Sequence, residues 1–253
     1  MKQLITNKLA EVEKENGIKI LFSCESGSRG WGFPSPDSDY DVRFIYVRPY
    51  RYYLSVMERA DDLNFAINGD LDMYGWDLRK VLQLTRKSNV TPFEWLQSPI
   101  IYRQEPGFKE ELWALCQHYF GRRSNIHHYL GIAQGALAGI ANGNEIAIKK
   151  LFYVLRPLLA ARWCLEKQQI APMTIGPLMT LLPAHLQEQV CRLITRKSTA
   201  AEGFIIQIDA ELKTYIDQEF ARIDEASKSL EKEPFGAEKL DEFFVNTITK
   251  YDH

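Results

Sequence analysis

Cysteine, long apolar runs and net charge are all scarce in this chain, and each scarcity excludes a class of protein. The four cysteines are scattered without a Cys-x-x-Cys pair, which excludes a disulfide framework and a zinc knuckle. No apolar run reaches the roughly 18 residues that a membrane-spanning helix needs. The 31 basic residues nearly balance the 33 acidic ones, which excludes a protein that coats nucleic acid by bulk charge but leaves a local basic groove possible. Reduced cysteines and a charged, helix-like N-terminal segment in place of a signal peptide favour a cytoplasmic location.

The composition and length are those of a globular protein with one large or two small domains. Hydrophobic residues make up 45% of the 253 residues and charged residues 25%. The first hundred residues mix strand and helix patterns, whereas helical patterns dominate from about residue 106. We therefore expect an α+β protein, with a small mixed-sheet core in residues 1–105 followed by an all-α helical bundle in residues 106–253.

Apolar periodicity and turn signals predict the individual elements. The amino-terminal part should contain a helix over 2–16 with Leu4 and Ile5 on its apolar face, strands over 18–24 and 40–47, and strands over 63–67 and 70–75 joined by an Asn68-Gly69 turn. A helix capped by Asp77, a helix that begins with Thr91 as its cap, and a strand over 99–103 complete it. Further helices are predicted over 108–120, 123–142 up to Asn142-Gly143, 145–168, 184–196, 209–230 and 239–250, and a turn with a short helix is predicted over 174–183.

One stretch has the pattern of a phosphate and metal site. A buried strand ends at Gly27-Ser28, where a glycine–serine turn opens a short helix whose backbone N–H groups favour phosphate. Asp39 and Asp41 are two residues apart in the next strand segment, so their carboxylates should project from one face. Paired carboxylates suit Mg²⁺, which keeps phosphate and water as its remaining ligands. This layout matches what nucleotidyl transfer requires.

The same residues also have a plain structural interpretation. Ser, Pro and Asp are common turn residues, so the segment before Tyr40 could be a solvated loop. A carboxylate at the start of an apolar strand needs a partner, and Arg29 and Arg43 are candidates to bind either phosphate or carboxylate. A helical RNA-binding protein whose acidic pair is only structural therefore stays open.

Longer strings carry a family resemblance. Gly-Ser followed by Asp-x-Asp and an apolar residue resembles the signature of the DNA polymerase β-type nucleotidyltransferase superfamily. The strings over 25–33 (ESGSRGWGF), 35–44 (SPDSDYDVRF), 75–80 (GWDLRK), 94–100 (EWLQSPI) and 150–157 (KLFYVLRP) are similar to one branch, the predicted nucleotidyltransferases associated with RNA ligase. The likeness covers roughly residues 20–165.

The resemblance implies a small mixed sheet with helices on one side and transfer of a nucleoside monophosphate from an NTP to a hydroxyl, with Mg²⁺ or Mn²⁺ as cofactor. Gly27 and Ser28 would hold the triphosphate, and Asp39 and Asp41 would be catalytic metal ligands. The superfamily usually adds a third carboxylate as base or ligand; Asp72 is our candidate here, with Asp77 as its rival.

Further residues are weaker candidates for nucleotide contact. Arg29 could bind phosphate, and Lys149, Tyr153 and Arg156 lie near one face of a predicted helix by their i, i+4, i+7 spacing. The alternative for that face is a half-buried surface with solvated charged tips.

The acceptor is left open by the sequence. An RNA end is plausible by association with ligases, and an antibiotic or a protein hydroxyl are alternatives. A function of a different class is a catalytically inert nucleotide-binding regulator or antitoxin-like partner.

Overall fold

The computed structural model describes residues 1–65, 69–138, 145–201 and 203–252. The chain forms two compact units that interleave along the sequence. The first unit consists of Met1–Gly30, Asp39–Tyr119 and Pro234–His253, and the second of Trp31–Ser38 and Phe120–Glu233. The predicted single boundary near residue 105 differs from this division, because a helix after it and the C-terminal segment pack with the first unit. Which function each unit carries stays a prediction.

A five-stranded mixed sheet forms the centre of the first unit. Its strands are β1 (Lys19–Glu25), β2 (Tyr40–Val47), β3 (Asp62–Asn64), β4 (Leu71–Asp77) and β5 (Ile101–Gln104), in the order β3-β4-β2-β1-β5. β2 and β4 are parallel, and every other neighbouring pair is antiparallel. The predicted α+β class is confirmed, and the predicted bounds of β2 agree with the structure.

The predicted hairpin is present as an antiparallel pair of β3 and β4. Gly69 has φ +60°, the left-handed conformation that the prediction required of the second turn residue. Asn68, the first turn residue, lies outside the described residues.

Helices cover both faces of this sheet. The first unit contains α1 (Lys2–Asn16), α2 (Gly27–Trp31) up to Gly30, α3 (Tyr50–Tyr53), α4 (Leu78–Arg86), α5 (Val90–Gln97) and α6 (Phe108–His118). On one face α1 buries Ile5 with Val42, while on the other Trp76 of β4 packs against Trp95 of α5, with 4.3 Å between the centroids of the tilted rings. The expectation of helices on one side was wrong, because β1 is buried on both faces and needs cover on each. Leu4 is 58% exposed, so the apolar face of α1 excludes it.

Two helix starts test the predicted caps. Asp77 caps α4 as predicted, since its carboxylate accepts the Arg79 backbone N–H at 2.8 Å. The predicted Thr91 cap of α5 was wrong. Asn89 takes that place, because its side-chain oxygen accepts the Thr91 N–H at 2.9 Å and Val90 is already helical.

The second unit is mainly helical. Its helices are α7 (Arg122–Ala138), α8 (Ile148–Lys167), α9 (Ile175–Met179), α10 (Ala184–Lys197) and α11 (Ala210–Lys228), while α12 (Glu238–Lys250) returns to the first unit. Two short strands, β6 (Glu145–Ala147) and β7 (Ile205–Gln207), pair antiparallel. Residues 145–147 were predicted as helix, and their pairing with β7 overrides that local pattern. The predicted helix end at Asn142-Gly143 lies outside the described residues. Among the described residues, none of the helices has the length and apolarity to cross a membrane.

Candidate active site

A backbone hydrogen bond joins the glycine–serine bend to the start of β2. The Ser26 N–H donates to the Asp41 carbonyl oxygen at 2.8 Å, directly after β1 ends at Glu25. Gly27 then has φ +56°, a left-handed conformation that favours glycine, and opens α2 with Ser28 almost fully buried. The strand, turn and short helix predicted here are therefore present.

The Asp41 carboxylate lies against this bend. A Cβ atom added at Gly27 would be 1.9 Å from Asp41 Oδ2 and 2.8 Å from its Cγ. Only glycine leaves room for the carboxylate at this distance. The acid and the bend, which are far apart in sequence, thus meet as the motif interpretation requires.

Asp72 lies beside Asp41 on the neighbouring strand. The two residues are register partners in the parallel β2–β4 pair. Arg43 links their side chains, since its Nη2 donates to Asp41 Oδ1 at 2.8 Å and to Asp72 Oδ2 at 2.7 Å. Its Nη1 donates to the Val42 and Asp72 carbonyl oxygens at 3.2 and 3.1 Å. The three side chains form one charged group on one face of the sheet.

Glu25 lies buried beneath this group. Its Oε1 accepts the Asp41 backbone N–H at 2.7 Å, and its Oε2 accepts the Tyr102 hydroxyl in a short hydrogen bond. Burial raises the pKa of Glu25 above its ordinary value, while these two hydrogen bonds oppose the rise. Burial and the neighbouring Glu25 also raise the pKa of Tyr102. Glu25 therefore holds the backbone of Asp41 in place from below.

Asp39 and Arg29 lie at the edge of the site. Asp39 precedes β2 by one residue and is exposed, so the strand itself includes only Asp41 of the pair. The Nε of Arg29 donates to the Asp39 carbonyl oxygen at 3.0 Å, and its guanidinium lies 4.0 Å from the Tyr40 ring centroid. Arg29 thus fastens the segment that carries Asp39 to the bend.

Asp77, the rival third carboxylate, lies at the other end of β4 from Asp72. It is 2% exposed, caps α4 and accepts the Tyr53 hydroxyl at 2.9 Å. Burial raises its pKa to about 6. Its register partner is Tyr46 and not Asp41, so the geometry favours Asp72 as the acid next to the pair.

The three candidates on α8 lie in the second unit. Lys149 and Tyr153 are half-buried, with Lys149 Nζ 6.0 Å from the Tyr153 ring centroid. Arg156 is 3% exposed; its Nε donates to the Met173 carbonyl oxygen at 2.9 Å, and its guanidinium lies 4.6 Å from the Trp31 ring centroid. Tyr153 meets the same ring edge-on. Tyr153 and Arg156 therefore support the segment that begins at Trp31, and the part of all three residues in nucleotide binding stays a prediction.

Comparison with known proteins identifies the family. The sequence profile of RlaP, the RNA repair pathway DNA polymerase beta family, matches residues 1–246. The chain belongs to this family. The predicted polymerase β-type resemblance is thereby confirmed, and the family is one of nucleotidyltransferases.

Two further proteins are similar to this RlaP-family chain. The uncharacterized protein YcgL of Bacillus subtilis (strain 168) is 39% identical over 255 residues, covering 98% of this chain and 96% of that protein. A crystal structure of a nucleotidyltransferase-like protein from Exiguobacterium sibiricum 255-15 is 12% identical and covers all of this chain and 81% of its own, with a TM-score of 0.32. A likeness of that size supports no conclusion of its own.

Divalent metals serve polymerase β-type nucleotidyltransferases, and the donor chemistry of the site suits one. Asp41 faces the bend with a hard oxygen donor, the type that Mg²⁺ prefers. In the part of the chain that the structure describes, no three His, Cys, Asp or Glu side chains are grouped closely enough to hold a metal. A cation here would therefore take phosphate and water oxygens to complete its shell.

Two contacts of this RlaP-family site were not found from the sequence. The pairing of Glu25 with Asp41 and Tyr102 was missed, although an acid at the end of an apolar run is a signal of a buried carboxylate. Arg43 was named as a candidate partner, but its link to Asp72 depends on a strand pairing that local patterns do not encode.

Proposed function

We propose that this protein is a metal-dependent nucleotidyltransferase that moves a nucleoside monophosphate from an NTP to a hydroxyl at an RNA end. The observation that carries the proposal is the Asp41 carboxylate against the Gly27 bend, with Asp72 next to it on β4. A phosphate cradle beside paired carboxylates is the arrangement that this reaction needs.

Each residue of the candidate site has its own role in the proposed reaction. The bend at Gly27 and Ser28 would hold the triphosphate, with Arg29 beside it, and Asp39 and Asp41 would hold Mg²⁺ or Mn²⁺. The metal, when bound, would neutralise charge that develops on the phosphate oxygens. The acceptor hydroxyl oxygen forms a bond to the α-phosphorus while the bond from that phosphorus to the β-bridging oxygen breaks. Pyrophosphate leaves, and Asp72 accepts the hydroxyl proton.

The RNA acceptor is supported by the family and limited by the charge. The description of the family places it in an RNA repair pathway. The net charge of −2 argues against a long nonspecific footprint on nucleic acid, because such binding requires many phosphate contacts. We therefore propose that the protein acts on a short terminal segment of RNA.

A nucleotide-binding protein without turnover is the second candidate. The link from Arg43 to both Asp41 and Asp72 favours it, since those carboxylates are already paired with a cation. The two candidates differ in one measurable respect, because only the enzyme releases pyrophosphate.

The deciding assay supplies each α-labelled NTP with Mg²⁺ or Mn²⁺ and a mixed pool of tRNA, oligonucleotides and proteins. We expect label on an RNA species, which names both the acceptor and the nucleotide. Label on a protein or a small molecule would replace the RNA acceptor with another. NTP binding without any labelled product would support the regulator.

Single amide substitutions locate the chemistry. Asp39→Asn and Asp41→Asn should each abolish transfer while the fold survives, and substantial residual transfer in both would contradict the proposal. Asp72→Asn should also abolish it, whereas Asp77→Asn should not. Asp70→Asn is the matched control, because Asp70 is an exposed aspartate two residues before Asp72.

A further inference from the structure

The Arg43 guanidinium occupies the space between the two carboxylates that the proposed reaction would use. Its Nη2 reaches Asp41 Oδ1 at 2.8 Å and Asp72 Oδ2 at 2.7 Å, and two carbonyl oxygens fix its Nη1. Four acceptors hold one planar group with five N–H donors, so the guanidinium has little freedom to leave.

The ion pair of Arg43 with Asp41 and Asp72 changes the net charge that a second divalent cation would encounter at this site. Asp41 and Asp72 lie opposite each other on adjacent strands, and together they carry two negative charges. The guanidinium lowers the net charge of the cluster from two negative charges to one. A divalent cation placed between the two carboxylates would need both negative charges. The three side chains are only 17–27% exposed, so solvent screens this charge weakly.

Arg43 brings a positive charge to the carboxylate pair, and its planar guanidinium donates to an oxygen of each acid at once. Within the described ranges no three His, Cys, Asp or Glu side chains are grouped as a metal site, so the carboxylates that Arg43 leaves available limit how many ions the NTP brings with it.

We infer that Arg43 serves as a built-in cation of the site, so that the protein binds one divalent ion with its NTP and not two. This inference rests on the proposed function and assigns a role in that reaction to Asp72. The ion belongs to Asp39, Asp41 and the triphosphate, while Asp72 is held by Arg43 and acts on the acceptor side. Arg43 is then a positioning residue, because it acts through the two carboxylates.

The test counts metal ions directly. The full chain is titrated with Mn²⁺ in the presence of an equimolar mixture of the four α,β-methylene ribonucleoside triphosphates, which cannot release pyrophosphate. Free Mn²⁺ is measured by its electron paramagnetic resonance signal. We expect one bound Mn²⁺ per chain in the wild type and in Arg43→Lys, and two in Arg43→Gln.

Arg103→Gln is the matched control, because Arg103 is also a half-buried strand arginine, and it pairs with Glu13 at 2.9 Å away from the acids. It should bind one Mn²⁺. Two ions in the wild type, or one ion in a folded Arg43→Gln protein, would overturn the inference.

Two further measurements keep the test decisive. If Arg43→Gln does not fold, Asp72→Asn replaces it. If the Mn²⁺ affinity of Asp72→Asn lies within about twofold of the wild-type affinity, the result supports the inference, and a loss of tenfold or more overturns it. Absence of any Mn²⁺-dependent binding of the analogues to the wild type would overturn the proposed function and this inference with it, whereas two bound ions would overturn the inference alone.

Discussion

Replacing Gly27 with alanine tests the contact on which the proposed site depends. The new Cβ would lie 1.9 Å from Asp41 Oδ2, whereas normal contacts of a Cβ begin above 3.0 Å. The carboxylate must therefore move by about 1 Å, and a misplacement of that size costs about 10²-fold in rate. The movement also disturbs the 2.8 Å bond to Arg43. We expect transfer to fall by about two orders of magnitude.

The stability cost has two parts that a control separates. Alanine in the left-handed conformation costs about 1–2 kcal/mol. The clash with Asp41 adds about 1–3 kcal/mol, as overpacking does in protein interiors. Gly17→Ala isolates the first part, because Gly17 has φ +57° against +56° at Gly27, and nothing lies within 4 Å of its added Cβ.

Thermal unfolding and labelled-NTP transfer are measured on both variants. Gly17→Ala should lower Tm by about 2–8 °C, the shift that its cost implies for a chain of this size. It should leave transfer unchanged, whereas Gly27→Ala should lose both more stability and most activity. If Gly27→Ala unfolds like Gly17→Ala and keeps full transfer, Asp41 does not face the bend and the reasoning fails.

Two other features give predictions away from the site. Burial raises the pKa of Asp77 to about 6, above its ordinary value of 3.8, so the folded state binds the proton more tightly than the unfolded state. The free energy of unfolding should therefore fall by about 3 kcal/mol relative to Asp77→Asn as pH rises from about 4 to 6, measured by urea unfolding. A rise over that range would contradict the buried carboxylate. Asn89→Ala should destabilise the protein by about 1 kcal/mol through loss of the α5 cap, and Thr91→Ala should have the smaller effect in the same urea assay. A larger loss of stability in Thr91→Ala than in Asn89→Ala would show that Thr91 caps the helix.

Local patterns predicted those elements whose cause is local. The helix α1 ends at Gly17 because glycine takes the left-handed conformation there, and β2 has the predicted bounds because branched and aromatic residues fill it. The start of α5 was mispredicted because Asn89 and Thr91 are both good caps, and only the backbone of Val90 distinguishes them. Neighbouring candidates of equal propensity cannot be separated by spacing alone.

Contacts between distant residues escaped prediction. The strand β6 forms because residues 205–207 supply a partner sixty residues away, which a helical pattern at 145–147 does not reveal. The link from Arg43 to Asp72 depends in the same way on the parallel register of β2 and β4. The sequence could therefore suggest the aspartates of the candidate site and Arg43 as a partner, but not the link from Arg43 to Asp72 or the buried Glu25.

The arrangement around Asp41 is costly for folding, and this cost is itself an argument about its purpose. Glu25 is fully buried with a raised pKa, and two aspartates lie side by side on adjacent strands. Buried charged networks are often no more stable than apolar side chains of similar size. Yet here the backbone N–H of Asp41 is held by Glu25, its carbonyl by Ser26 and its carboxylate by Arg43. A residue fixed at three points by a cluster that adds little stability is best explained by a need to hold its carboxylate at the Gly27 bend.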